Sequence, residues 1–254
     1  MYPEILSKKP LVEAIFEIRW VLTPQPDRTL RDPYYQILVG RLSGEIRSQF
    51  PHWEPLPIAE FPEHLVPHLV QHRFRATEGG WPVLQLGPGL LTVNETEGYR
   101  WPEFRDQCLF AVEKLKQVYA DAKQSLQIAQ VMLRYVDADL LTDETPQDFL
   151  EKLKVIAKVP DVLFENTNIS DELLGLDLQW VFRTHHPKGA AQFRIAQGQK
   201  EGQSAIIWEI AMTSKGPDVG DFLNQSADWL EAAHQMTDDW FFKLIDGELL
   251  EKYR

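Results

Sequence analysis

Apolar and polar residues alternate along several short stretches of the chain, and each of these stretches predicts a β-strand. Within residues 11–21 every second side chain from Val12 to Trp20 is apolar, which is typical of a strand with one buried face. The same reasoning predicts strands over residues 69–76 and 83–94, joined by a hairpin turn at Glu78-Gly79-Gly80, and over residues 126–137. The first half of the chain is therefore predicted to contain four strands.

Two segments of this half instead repeat their apolar residues every three or four positions, which predicts helices. One begins at Asp32-Pro33 and ends near Phe50, and the other begins at Pro102. Between the first helix and the next strand, residues 51–67 contain five prolines and are predicted to form an ordered, extended loop. The resulting order of strand, helix, strand, strand, helix, strand matches the ferredoxin-like βαββαβ pattern.

The second half is predicted to be a β-meander followed by a long helix. A capping box at Thr145 opens a short helix that extends to about Ile156. Three alternating segments around Trp180, Phe193 and Trp208 predict antiparallel strands joined by short turns. Residues 219–245 carry two adjacent apolar stripes, so this last helix is expected to cover the sheet and to contact the first half. Antiparallel strands followed by a long helix thus occur in both halves, as a faint duplication.

The fold class predicted from these patterns is α+β, in two halves that form one compact unit. The halves are residues 1–140 and residues 141–254, and each is expected to be an antiparallel sheet covered by helices. The chain has 254 residues, of which 44% are hydrophobic, so it can bury a sizeable core.

Charge and targeting features narrow the classes of partner. The formal net charge is −12, and the longest basic cluster is Lys8-Lys9, so nucleic acid and anionic membrane surfaces are not expected as partners. No apolar run is long enough to cross a bilayer, and residues 1–11 do not look like a signal peptide. We therefore expect a cytoplasmic protein that binds another protein or a small ligand; a homodimer is compatible with this.

Three features that suggest a metal, phosphate or thiol site have simpler explanations. His64, His68 and His72 have helical spacing, but Pro62 and Pro67 break the helix that would bring the imidazoles together. Gly87-Pro88-Gly89 lies within a predicted strand and is expected to form a bulge or bend rather than a phosphate loop. Cys108 lies on an apolar helical stripe and is expected in the core. We predict no metal and no cofactor.

Three polar residues with apolar neighbours are candidates for a binding site. His234 lies on the apolar side of the last helix, where a buried, hydrogen-bonded core residue is favoured over a functional one. Arg19 and Arg134 lie in the first and fourth strands and could bind a carboxylate or phosphate together, although pairing with Glu13, Glu17 or Asp137 explains them equally well. No catalytic triad, paired-carboxylate motif or nucleotide fingerprint accompanies them, so nothing in the sequence argues for an enzyme.

Short matches spread over nearly the whole chain resemble an uncharacterised, sporadically distributed bacterial protein family that is catalogued only by a number. The matching pieces include Pro10-Leu11-Val12-Glu13-Ala14, Leu86-Gly87-Pro88-Gly89, Val93-Asn94, Leu133-Arg134-Tyr135 and Ala233-His234, with Tyr99, Trp101, Phe104 and Phe241. The chain departs from the pattern at Asp137, where the resemblance implies Asn. The resemblance adds Asn94, Tyr99 and Trp101 to the candidate ligand- or partner-binding residues and implies no activity or cofactor.

Three functional hypotheses follow. The first is a non-enzymatic protein-interaction module, which the eight tryptophans and the acidic C-terminal region favour; the patchy distribution implied by the resemblance suggests an accessory role linked to mobile elements or defence. The second is a protein that binds a small anion in a cavity between the sheet and the last helix, through Arg19, Arg134 or His234. The third and weaker hypothesis is an RNA-processing enzyme, which the net charge opposes.

Overall fold

The computed structural model describes residues 6–142 and 144–254, and its centre is an antiparallel sheet of nine strands. The strands are β1 (Leu11–Trp20), β2 (Thr23–Pro24), β3 (Leu30–Arg31), β4 (His52–Pro55), β5 (His72–Arg75), β6 (Val83–Gly87), β7 (Leu90–Glu95), β8 (Ile128–Leu140), β9 (Asp177–His185), β10 (Lys188–Lys200) and β11 (Gln203–Lys215). The helices are α1 (Tyr35–Ile46), α2 (Trp101–Asp121), α3 (Pro146–Lys152), α4 (Phe222–Ile245) and α5 (Glu248–Tyr253). The strands β2 and β3 form a separate two-stranded sheet.

The strand order of the large sheet is β4-β5-β6-β7-β1-β8-β11-β10-β9. The central strands β1 and β8 each begin a similar succession: a strand, a helix, a meander that runs from the edge back to that strand, and a second helix. Because β8 pairs with β11, the strands of the two predicted halves form one sheet. The predicted α+β class is confirmed; the sequence patterns left open whether the sheets of the two halves join, and the structure has one shared sheet.

The first half contains four strands between α1 and α2, where the sequence patterns predict two. The proline-rich segment forms β4, because a short edge strand tolerates prolines that cannot donate hydrogen bonds. The segment 83–94 is two strands, since Pro88 and Gly89 turn the chain so that β6 and β7 pair antiparallel. Gly89 has a φ of +72°, which a glycine adopts without steric cost. Within the large sheet, the observed order of the first half is therefore longer than βαββαβ by two strands.

The predicted helices are present, with differences at their ends. The helix α2 begins with Trp101 and has Pro102 in its first turn, and α4 begins at Phe222. The capping box of α3 forms as predicted, with the hydroxyl of Thr145 accepting a bond from the backbone N–H of Asp148. This helix ends earlier than predicted, at Lys152. The helix α5 was not predicted. Among the described residues no helix is long and apolar enough to span a membrane.

The two faces of the sheet are chemically different. Apolar side chains from all five helices pack in two hydrophobic clusters, one around Phe16 and Leu133 and the other around Ile195 and Trp208. These sheet residues share one face, which we call the helix face. Cys108 of α2 is completely buried in the first cluster, as predicted, and burial raises the pKa of its thiol. The opposite face, the polar face, carries ion pairs and hydrogen-bonded amides.

Candidate functional site

A cavity of about 410 Å³ lies on the helix face, where the two halves of the sheet meet. Residues of β8 and β11 line one side of it, the first turn of α2 and the second half of α4 line two others, and residues 6–11 complete the wall. The volume is in the range of pockets that hold small organic molecules. The structure thus supplies a site between the sheet and α4.

The strand and helix periodicities explain why these side chains converge. Tyr135 and Asp137 are two residues apart on β8, so both point to the helix face, and Ile210 of β11 lies directly opposite Tyr135. His234 and Asp238 are one helical turn apart on α4, which places them on the same side of the helix. Tyr99 and Trp101 reach the cavity from the start of α2.

Three of these side chains, which lie in the wall of the cavity, are joined by successive hydrogen bonds. The hydroxyls of Tyr99 and Tyr135 are 2.9 Å apart, and the Tyr135 hydroxyl is 3.1 Å from Nδ1 of His234. Burial raises the pKa of both tyrosines, so each stays protonated and can donate one hydrogen bond. These hydrogen bonds link the segment just before α2 to β8 and α4 and hold the side chains in position.

The imidazole of His234 is also fixed by an aromatic contact. Its ring stacks on the indole of Trp101, with centroids 3.9 Å apart and an angle of 16° between the planes. The Trp101 Nε1 donates a hydrogen bond of 3.2 Å to Glu231, one turn before His234. Burial lowers the pKa of His234 to about 4, against the opposing effect of Glu231, so the ring is neutral at pH 7.

Asp137 is the least expected residue of the site. It is 2% exposed and lines the cavity, yet its Oδ2 accepts no hydrogen bond within the described part of the chain. Burial raises the pKa of this carboxyl to about 8, although the charge of Lys200 acts in the opposite direction. The residue directly opposite on β11, Trp208, also has a buried ring N–H with no partner among the described residues. Since buried polar groups are normally paired, Asp137 is available to a bound molecule.

The carboxyl groups of the cavity lie on its wall, and the cationic side chains lie at its rim. Asp238 lies on the wall, and burial raises the pKa of its carboxyl to about 6. Two cationic side chains lie at the rim, where Lys9 and Arg100 are both exposed. The Lys9 ammonium donates a 2.7 Å hydrogen bond to the carbonyl of Tyr99. Among the described residues, a molecule in the cavity would therefore meet carboxyl groups inside and positively charged side chains only at the entrance.

The six residues proposed from the sequence fall into two groups. Tyr99, Trp101 and His234 come together around the cavity. The other three, Arg19, Arg134 and Asn94, do not reach it; their strand pairing places them on the polar face, on the other side of the sheet.

Each residue of the second group has a partner within the protein. Arg19 binds Glu17 through its Nε, at 2.7 Å, and Arg134 binds Glu209 at 3.4 Å. The amide of Asn94 donates a 2.7 Å hydrogen bond to Glu13. Arg134 lies opposite Ile15 of β1, four residues from Arg19, a separation of about 13 Å along a strand. This spacing does not favour the binding of one small anion by both arginines.

Two of the three histidines near the proline-rich loop, His68 and His72, have different hydrogen-bond partners. His68 Nδ1 is 3.1 Å from the carbonyl of Gly89, while His72 accepts a hydrogen bond from the indole of Trp53. Within residues 6–142 and 144–254, no three His, Cys, Asp or Glu side chains are grouped so that they could hold a metal ion.

Sequence reasoning missed Asp137, Asp238 and Tyr135 as site residues. Asp137 could have been found, because it is a carboxylate on the buried face of a strand, where an unpaired charge is costly. Asp238 gave no signal in the sequence, since it stands beside Asp239 in an acidic C-terminal region. From the sequence alone, Tyr135 cannot be distinguished from an aromatic residue of the core, because its hydrogen bonds are not known at that point.

Comparison with models of known protein families and with curated proteins found no match for the chain. The resemblance to the uncharacterised bacterial family therefore stays a hypothesis.

Proposed function

We propose that the protein binds a small organic molecule in the central cavity, and that the molecule presents a positively charged nitrogen or an N–H donor to Asp137. The observation that carries this proposal is the buried, unpartnered Oδ2 of Asp137 in a cavity of about 410 Å³. An amidine, guanidine or amine would give this oxygen the partner it lacks. The rings of Tyr99, Trp101 and Phe241 would contact the apolar part of such a ligand.

The charge of the cavity distinguishes this ligand from the anion considered in the sequence analysis. A buried anion would lie near Asp238, whose carboxyl is charged above about pH 6, and neither the protonated Asp137 nor the neutral His234 offers it a positive charge. Lys9 and Arg100 at the rim would accept a negative group only at the entrance. The arrangement therefore favours a cationic or N–H-rich ligand over a purely anionic one.

The test compares two probes of the same shape and opposite charge, benzamidine and benzoate. We expect benzamidine to raise the melting temperature and benzoate to leave it unchanged. Asp137→Asn should abolish the benzamidine shift, whereas Asp139→Asn, whose carboxylate binds Lys252 and Tyr253, should retain it. Stabilisation by benzoate alone, or an undiminished benzamidine shift in Asp137→Asn, would contradict the proposal.

The pH dependence of binding gives a second test. Because the carboxyl of Asp137 is protonated below about pH 8, binding of a cation must release its proton. Benzamidine should therefore bind about tenfold more tightly for each pH unit between roughly pH 6 and 8. Calorimetry in two buffers of different ionisation enthalpy would detect the released proton. Affinity that is independent of pH would show that Asp137 is not the contact.

A protein-interaction module is the second candidate, because exposed apolar residues are concentrated between the end of α3 and β9. The exposed fractions are 94% for Ile156, 66% for Ile169 and 84% for Leu174. Exposed apolar residues that adjoin on the surface are typical of protein-binding sites. Size-exclusion chromatography with proteins encoded beside this one, using wild type and Leu174→Ser, would test it; loss of the complex in the variant is expected. The accessory role in mobile elements or defence depends on finding such a partner.

The RNA-processing hypothesis gains no support from the charges on the sheet. Two arginines of the polar face, Arg19 and Arg134, are already paired with carboxylates. Binding an RNA phosphate requires Lys or Arg side chains that are free to pair with the phosphate.

A further inference from the structure

The two edge strands of the nine-stranded sheet differ in how they are protected. The strand β4 has four residues, follows Pro51 and ends in Pro55, and prolines lack the N–H that a neighbouring strand would need. The strand β9 has nine residues and contains neither proline nor glycine. It is the last strand of the sheet, so its outer edge has no strand partner within the described residues. Natural proteins rarely leave a long edge strand in this state.

The sequence of β9 is complementary to itself when two copies run antiparallel. With Val181 opposite Val181 of a second copy, Trp180 faces Phe182, which is a favourable aromatic pair. In the same register Gln179 faces Arg183 and Asp177 faces His185, so no like charges are opposed. If the register is shifted to place Arg183 at the centre, two guanidinium groups face each other. The register centred on Val181 is the one that pairs all nine residues of the strand, and it opposes no like charges.

Two apolar side chains of β9 are also exposed to solvent. Val181 is 58% exposed and Phe182 is 50% exposed, on opposite faces of the strand. On the helix face a groove of about 400 Å³ adjoins β9, lined by Trp180, Phe182 and Trp240. A second copy paired along β9 would cover both exposed side chains.

We propose that two copies of the chain associate through β9, as an antiparallel pair with twofold symmetry centred on Val181. The sheet then continues through the interface, with nine strands from each copy. Each copy carries a net charge of −12, and the two repel at long range, so the dimer becomes tighter as ionic strength rises. The proposal is independent of ligand binding, because the residues of the central cavity are not in β9.

The test uses light scattering on the full chain after size-exclusion chromatography, at up to about 100 μM, a range in which weak dimers form. Wild type is expected at twice the mass of the chain. Val181→Lys and Val181→Asp should each be monomeric, because the twofold axis places identical charges in contact. Mixing these two variants should restore the dimer, since lysine then faces aspartate.

Val21→Lys is the matched control, because it adds the same charge at an exposed valine outside β9, outside the central cavity and outside the apolar segment before β9. This variant should dimerise like wild type. A monomeric wild type at the highest concentration, a dimer that persists in Val181→Lys, or a mixture of the Val181 variants that stays monomeric would each overturn the proposal.

Discussion

The hydroxyl of Tyr135 lies 3.1 Å from Nδ1 of His234 and so joins the central strand β8 to helix α4 beside the cavity. The same hydroxyl is 2.9 Å from that of Tyr99, at the start of α2. Three of the segments that surround the site are thus connected by polar contacts as well as by apolar packing. Such a network fixes the shape of the cavity, which is a condition for selective binding.

We expect the Tyr135–His234 hydrogen bond to appear as a coupling free energy in a double-mutant cycle. Tyr135→Phe removes the hydroxyl, and His234→Phe removes the nitrogen while keeping a ring to stack on Trp101. The effects on the free energy of unfolding should fall short of additivity by about 1 kcal/mol. Urea denaturation of the four proteins measures this, and strictly additive effects would mean that the contact contributes no stability.

Asp137 is expected to destabilise the protein increasingly as pH rises. Its pKa is about 8 in the folded state against an ordinary value of 3.8, so the unfolded chain loses this proton first. The contribution of Asp137 to the free energy of unfolding therefore decreases from about pH 4 to pH 8. Outside that range it does not change with pH.

Asp137→Asn should remove this dependence, since asparagine does not ionise. The variant should be more stable than wild type at pH 8 by on the order of 3 kcal/mol, with a much smaller difference at pH 5. Denaturation at the two pH values provides the measurement. Asp139→Asn is the control, and it should be less stable than wild type at both, because it loses hydrogen bonds from Lys252 and Tyr253.

The sequence was sufficient to predict the elements whose periodicity is strong, such as α2, α4 and the meander of β9, β10 and β11. It did not predict that β8 and β11 would pair, because the alternation in each strand is the same whether its neighbour comes from its own half or from the other. Tyr99, Trp101 and His234 were found as candidates, but their distances depend on this pairing. Asp137 was considered only as a possible partner of an arginine and as a departure from a resemblance, since the surroundings of its carboxylate depend on tertiary packing.

His234 should make the protein less stable in acid. Burial lowers its pKa from 6.5 to about 4, so the unfolded chain binds a proton at a higher pH than the folded protein does. This contribution to stability is complete above about pH 6.5 and is lost as pH falls to about 4. We expect a loss of stability on the order of 2 kcal/mol. This is smaller than the pKa shift alone would give, because the ring is partly exposed to solvent. His234→Phe should show a shallower fall between pH 7 and 4 in chemical denaturation; an unchanged slope would contradict the assignment.

Glu209 should be the most important carboxylate of the polar face. Its two oxygens bind Arg134 at 3.4 Å and Arg194 at 3.2 Å, and its side chain is 15% exposed. Glu209→Gln should lower the free energy of unfolding by about 1 kcal/mol at low salt and by less in roughly 1 M salt. Asp177→Asn is the control: this carboxylate binds Arg194 alone and its side chain is 58% exposed, so its loss should have a smaller effect.

Gly87, at the end of β6, is expected to tolerate no side chain. A Cβ atom there would lie 2.0 Å from the carbonyl oxygen of Leu69 and 2.7 Å from its carbonyl carbon, and both are backbone atoms that cannot rotate away. Gly87→Ala should therefore destabilise the protein by more than about 2 kcal/mol. Gly40→Ala is the matched control, because Gly40 is an exposed residue of α1 with nothing within 4 Å of the added atom. That substitution should stabilise the protein by roughly 0.5–1 kcal/mol through helix propensity. Urea denaturation of the pair should give effects of opposite sign; equal effects would mean that the contact between Gly87 and Leu69 relaxes at little cost.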